Sequence, residues 1–198
     1  MPELSLEQLT HGSVQALQNA VDLIGDAECL FKEGRWARSA FLAQIAIEEL
    51  GKYLIIMGAI GNVIAGQIEW KMFWKRFVSH REKAGNIFFF DAALSPSQEG
   101  QKIVRAFEKA DIDTTEFQKE KLSSLYVDFR GDRFVIPMDV VDERIAKKAI
   151  ENAKAVLSFF ELAEKEIFSK ANMSKLSAST LERIREEVGK LSTKLKDA

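Results

Sequence analysis

An all-α helical bundle is the fold class this chain predicts, and three observations carry the prediction. Apolar residues recur at helical spacing in five or six separate segments, only the stretch at about 125–137 has β character, and no internal repeat divides the 198 residues. The length suits one domain, read as 1–170, with a helical extension over 171–198.

The first helix is predicted over Ser13 to Phe31, where Val14, Leu17, Val21, Ile24 and Phe31 recur at spacings of three, four and seven. Ser13 reads as its N-cap, with His11 in the cap region, and Glu33-Gly34 as its stop. The second helix, Arg35 to Met57, is alanine-rich and apolar on most faces, which marks it as central and buried on several sides. Gly34 between the two implies a tight antiparallel hairpin. Gly58 to Gly66 reads as a helix end and turn, followed by a third helix over Ile68 to Ala84. Phe88, Phe89 and Phe90 precede a Ser95-Pro96-Ser97 turn and read as a loop pinned into the core. Short helices near Gln98 to Lys109 and Thr115 to Ser124 come next. Tyr-Val-Asp-Phe and Arg-Phe-Val-Ile then flank Arg130-Gly131-Asp132 as a small hairpin or extended reversal, closed by Pro137. A long helix from Val140 to Lys170 carries the stripe Ala146, Ala149, Ile150, Ala153, Val156, Leu157, Phe160 and Ala163. The tail, Ser177 to Lys196, has a narrow stripe suited to docking on a partner or a dimer mate.

Composition excludes several chemistries. One cysteine, Cys29, forms no intramolecular disulfide or CxxC pair, and His11 and His80 alone cannot supply a typical structural zinc site or an HExxH protease. There is no P-loop, GxGxxG or GxSxG, so neither a cofactor nor a metal is expected. The start lacks the pattern of a signal peptide, and the most apolar stretch, Tyr53 to Ile68, is broken by Gly58, Gly61, Asn62 and Gly66. A soluble cytoplasmic protein without membrane contact is the economical expectation.

The formal charge is −2, so no global basic field attracts nucleic acid. Residues 71–83 are different: five basic residues against one acidic, interleaved with Phe73, Trp74 and Phe77. That pattern suits a nucleic-acid groove through Lys71, Lys75, Arg81 and Lys83, or an amphipathic helix with a solvated basic face.

Three groups of residues could carry chemistry. Glu48 and Glu49 lie with Lys52 inside the apolar second helix, where uncompensated charge is costly. Glu48 and Lys52 have i,i+4 spacing, and Gly51 between them costs about 1 kcal/mol relative to alanine unless it admits another backbone. The cluster is a structural ion-pair network or a site, with partners expected on the third helix and the YVDF segment. His80 shares a predicted helix face with Arg76 and Lys83, an acid/base beside phosphate-binding cations. Tyr126, one of two tyrosines against fourteen phenylalanines, stands with Lys121 and Asp128, and its hydroxyl could bond a phosphate or tie the hairpin to the helices.

Three blocks together resemble the AbiV family of bacterial abortive-infection proteins: Gly34, Trp36 and Ala37 leading to Glu48–Lys52; Phe77, His80 and Lys83; and Leu125 to Asp128 followed by Pro137. The resemblance covers about residues 13–165. It implies an antiphage role, a fold akin to the HEPN superfamily and a homodimer. Many HEPN proteins are metal-independent ribonucleases with four to six residues between an arginine and a histidine at the dimer interface. Here three residues separate Arg76 from His80, and Lys75 holds the four-residue spacing. The expectation is a phage-defence effector acting on RNA, with His80, Arg76, Glu48, Lys52 and Tyr126 as catalytic candidates. Lys83, Lys75, Arg81 and Lys71 would bind substrate, and Glu49, Asp128 and Lys121 would form a polar support. The alternative is an interaction protein that inhibits the translation machinery, or senses a phage-encoded activator, by binding.

Overall fold

The computed structural model describes residues 1–94 and 102–167, with side chains over 1–87 and 113–158. The elements are α1 (Leu6–Lys32), α2 (Trp36–Ile64), α3 (Trp70–Val78), α4 (His80–Leu94), α5 (Lys102–Ser123), β1 (Asp128–Arg130), β2 (Arg133–Val135), α6 (Pro137–Val140) and α7 (Glu143–Ile167). The chain divides into two compact units, 1–157 and 158–198. Among the described residues the fold is all-α apart from one two-stranded antiparallel sheet.

α1 starts earlier than its apolar stripe suggests. Ser5 accepts from the Gln8 amide at 3.1 Å while Gln8 returns a carbonyl to the Ser5 amide at 2.9 Å, a complete capping box. Ser13 and His11 therefore lie inside the helix, not at its cap. Gly34, at φ +69°, turns the chain into α2, and the Ser39 hydroxyl donates to the Ala27 carbonyl at 2.8 Å to lock the hairpin. Ala16, Ala20 and Ala27 on α1 and Ala40, Ala43, Ala46 and Leu50 on α2 are buried, so small side chains line the core of this pair.

α2 does not end at Gly58; it runs through Gly58 and Gly61 to Ile64 and stops only before Gly66, at φ +68°. Burial of Ile55, Ile56 and Ala59 outweighs a glycine cost of about 1 kcal/mol each. The expected third helix is two helices, broken at Ser79. Ser79 is extended, and its hydroxyl accepts from the Glu82 amide at 3.2 Å, so it caps α4 while ending α3. Phe88 to Phe90 continue α4 as helix and do not form a loop, and the two short helices expected next are the single α5 from Lys102. The Ser95-Pro96-Ser97 turn and the Ser177 to Lys196 tail fall outside the described residues.

The hairpin is present, with Asp128 opposite Val135, Phe129 opposite Phe134 and Arg130 opposite Arg133. Gly131 provides the positive φ that its two-residue turn requires. Pro137 opens α6 rather than a loop, and the long helix begins at Glu143, held to α1 by Lys154 and Glu28 at 2.8 Å. Among the described residues, no helix is long and apolar enough to cross a membrane.

Candidate active site around Glu48 and His80

Glu48 sits in the middle of α2, only 2% exposed, on a helix buried on most of its faces. An isolated carboxylate there would be strongly disfavoured. Three donors converge on it. The His80 ring meets Glu48 Oε2 through Nδ1 at 2.5 Å, Gln118 Nε2 donates to Oε1 at 3.2 Å, and Lys121 Nζ donates to Oε1 at close range. Burial alone would raise the Glu48 carboxyl; the hydrogen bonds from His80, Lys121 and Gln118 and the Lys121 charge more than reverse this and hold it below the usual glutamate value.

His80 is the opposite kind of residue. As the first residue of α4, its side chain remains 64% exposed although one nitrogen is tied to a buried carboxylate. An ionised Glu48 requires hydrogen on Nδ1, which directs the basic lone pair of a neutral ring to Nε2. The result is an oriented imidazole whose second nitrogen is available for proton transfer on the solvent side. Gln118 Nε2 also lies 3.5 Å from the His80 carbonyl, so one amide touches both members of the pair.

The approach of α4 to α2 that makes this contact possible depends on Gly51. A Cβ there would lie 1.9 Å from the Lys83 carbonyl oxygen, far inside the carbon–oxygen contact distance. Gly51 thus admits another backbone, one of the two readings its position allowed. Lys83 itself is 6% exposed, and its side chain makes no ion pair or hydrogen bond among the described residues. Burial pushes its ammonium below the usual lysine range, and the charges of Lys52 and Lys121 act in the same direction against those of Glu48 and Glu49. This geometry does not suit the surface phosphate contact expected of Lys83.

The other expected residues divide. Lys52 pairs with Glu49 at 2.5 Å, not with Glu48, because Glu48 turns toward α4 and α5. Lys52 Nζ also stands 5.4 Å from the centre of the Phe77 ring. Arg76 does not share a continuous helix face with His80, since Ser79 separates them. Its guanidinium braces α3 to α4, donating to Asn86 Oδ1 at 2.7 Å and standing 3.6 Å from Glu82. Lys71, Lys75 and Arg81 are exposed. Lys121 joins the cluster, but the YVDF segment does not. Tyr126 is exposed, and Asp128 accepts locally from the Phe129 amide at 2.8 Å and from Arg130 at 3.1 Å. Sequence reasoning missed Gln118; its spacing of three from Lys121 was readable, whereas its partner 70 residues away was not. Among the described residues, no group of three or more His, Cys, Asp or Glu side chains is arranged to hold a metal ion.

A family model described as AbiV, of the HEPN class, matches residues 8–158. No curated protein and no solved structure matches the chain significantly.

Proposed function

The chain belongs to the AbiV family, and from that premise we propose that it is an abortive-infection effector that acts on RNA through His80. The observation that carries the proposal is the pairing of a buried, multiply bonded Glu48 with an exposed imidazole. In this reading Nε2 of His80 takes the proton of a ribose 2′-hydroxyl. The 2′-oxygen attacks the adjacent phosphorus, and the bond to the 5′-oxygen breaks, leaving a 2′,3′-cyclic phosphate. The departing 5′-oxygen takes its proton from a second imidazolium, which a homodimer would supply as the other copy's His80. Glu48 is a positioning residue: it fixes the ring and stabilises the charge that develops on it. Lys71, Lys75 and Arg81 offer exposed positive charge for the phosphate backbone.

The test is incubation of the purified protein with total RNA in the presence of a chelator, with and without extract from phage-infected cells. Wild type should yield fragments ending in 2′,3′-cyclic phosphate. His80→Ala should lower the cleavage rate by about 100-fold or more, the scale of a lost general base, and His80→Gln, which can still donate to Glu48, should lose activity equally while keeping the fold, as a melting curve checks. Intact RNA under every condition, or a His80→Ala protein that cleaves normally, overturns the proposal.

The exposed hairpin favours a second reading, in which the protein acts by binding the translation machinery or a phage protein. Phe129 and Phe134 stack edge to face in the open, with ring centres 5.1 Å apart. Under that reading Phe129→Ser with Phe134→Ser abolishes phage protection, whereas His80→Ala retains it.

A further inference from the structure

Two charged residues that the sequence singles out, Glu49 and Lys52, take no part in the His80 cluster. They line a separate pocket of about 340 Å³ between α1, α2 and α3. That volume is at the lower end of the roughly 300–1,000 Å³ that holds small organic ligands. Phe73, Trp74 and Phe77, the aromatics of the basic segment, form one wall. Their ring centres lie 4.9–5.6 Å apart, so the wall is continuous. The Trp74 indole N–H donates to the Pro2 carbonyl at 2.8 Å, which fixes that ring. Leu9 and Ile56, both buried, complete an apolar interior.

Against these walls the Glu49–Lys52 pair supplies the only charge among the described residues that line the pocket. The Glu49 side chain is 12% exposed and that of Lys52 22%, so both are mostly stripped of water yet reachable. Lys52 Nζ donates to Glu49 Oε1 at 2.5 Å, and neither group makes another hydrogen bond among the described residues. Two ammonium hydrogens and the second carboxylate oxygen are left for a ligand. The pair has no net charge. A ligand with a single charge would leave that charge unbalanced in a poorly hydrated place, which is costly. A ligand with one carboxylate and one ammonium leaves none. Its carboxylate accepts from Lys52 and its ammonium donates to Glu49, giving a ring of four alternating charges. A free α-amino acid carries these two groups on one carbon, with a side chain to place against the aromatic wall. We infer that this pocket binds a free amino acid with a large apolar or aromatic side chain.

The experiment titrates the full-length protein with leucine, methionine, phenylalanine, tyrosine and tryptophan as free amino acids, by calorimetry and by melting temperature. At least one should bind with one-to-one stoichiometry and raise the melting temperature. The amine and the acid derived from the tightest of them (for phenylalanine, phenethylamine and 3-phenylpropionate) each lack one of the two charges. Both should bind at least about tenfold more weakly, the scale of one lost hydrogen bond to a charged group, and so should glycine. Lys52→Met should reverse the order, so that the amine binds more tightly than the amino acid, and Glu49→Gln should favour the acid in the same way. An ion pair with a structural role alone would weaken all the probes together. The comparison of probes on the wild-type protein tests the site even where a variant folds poorly. His80→Gln should bind as wild type, which separates this pocket from the proposed RNA site. Failure of all five amino acids to bind, equal binding of the singly charged probes, an unchanged order in both variants, or binding lost in His80→Gln overturns the inference.

Discussion

Glu48 lies 2% exposed inside a bundle of apolar helices, whereas Phe134, on the hairpin, stands 75% exposed to water. Each residue is on the side of the surface that its chemistry disfavours. At Glu48 the cost is met in full, because Lys121, His80 and Gln118 satisfy both carboxylate oxygens. At Phe134 it is met only in part, by the Phe129 ring opposite. The contrast separates two origins of local order. The cluster is held by directional bonds from three elements, so its geometry is narrowly defined and it is vulnerable to loss of any member. The hairpin is held by backbone pairing and one aromatic contact, so its side chains can change with little effect on the bundle.

Glu48→Gln should give the largest loss of stability. It leaves the Lys121 ammonium buried without its counter-charge, and breaking one side of a buried pair costs about 3–5 kcal/mol. Urea denaturation at neutral pH measures this directly. The acid limb of the same measurement sharpens it. Because the folded carboxyl titrates below its ordinary value of 4.5, the stabilisation from Glu48 is complete above that pH and lost as pH falls through the lower folded value. Wild type should show this fall and Glu48→Gln should lack its share of it; equal acid slopes would mean that the carboxylate contributes nothing through its charge.

Gly51→Ala comes next. The added carbon meets main chain rather than a movable side chain, so α4 must shift, at a cost of about 3 kcal/mol, the upper end of ordinary overpacking. His80 should move with α4, so the ring protons of His80 should shift in the NMR spectrum; an unchanged spectrum would show that the contact is not restrictive. The smallest effect is expected on the hairpin. Phe134→Thr should cost under about 1 kcal/mol, the scale of a cross-strand pair, and leave the acid limb unaltered. A loss comparable to that of Glu48→Gln would erase the distinction between the two regions.

The same contrast explains what the sequence could reveal. Helices α1, α2 and α7 were legible because their apolar residues follow one face over many turns, and the hairpin because Gly131 sits between two β-rich runs. The ends of α2 and α3 were misplaced for opposite reasons. Gly58 and Gly61 look like stops but are carried by burial nearby, while Ser79-His80-Arg81-Glu82 has the spacing of a helix start inside an amphipathic run. The candidate site was half legible. Two glutamates in an apolar helix announce a need for partners, and His80 and Lys121 were among the residues singled out. Which carboxylate would take which partner was not readable. Spacing allows Lys52 to reach Glu48 or Glu49, and only the positions of α4 and α5 decide it. Tyr126 and Asp128 were grouped with Lys121 through nearness in sequence, which the end of α5 at Ser123 undoes.

The abutment of Gly51 on the Lys83 carbonyl has a mechanical meaning as well. Contact between side chains can yield by rotation, but here the far wall is peptide backbone and the near wall has no side chain left to remove. The first turn of α4 can therefore swing away from α2 but cannot be driven closer. Displacement of His80 along with that turn is therefore one-sided, with solvent on one hand and a fixed backbone stop on the other.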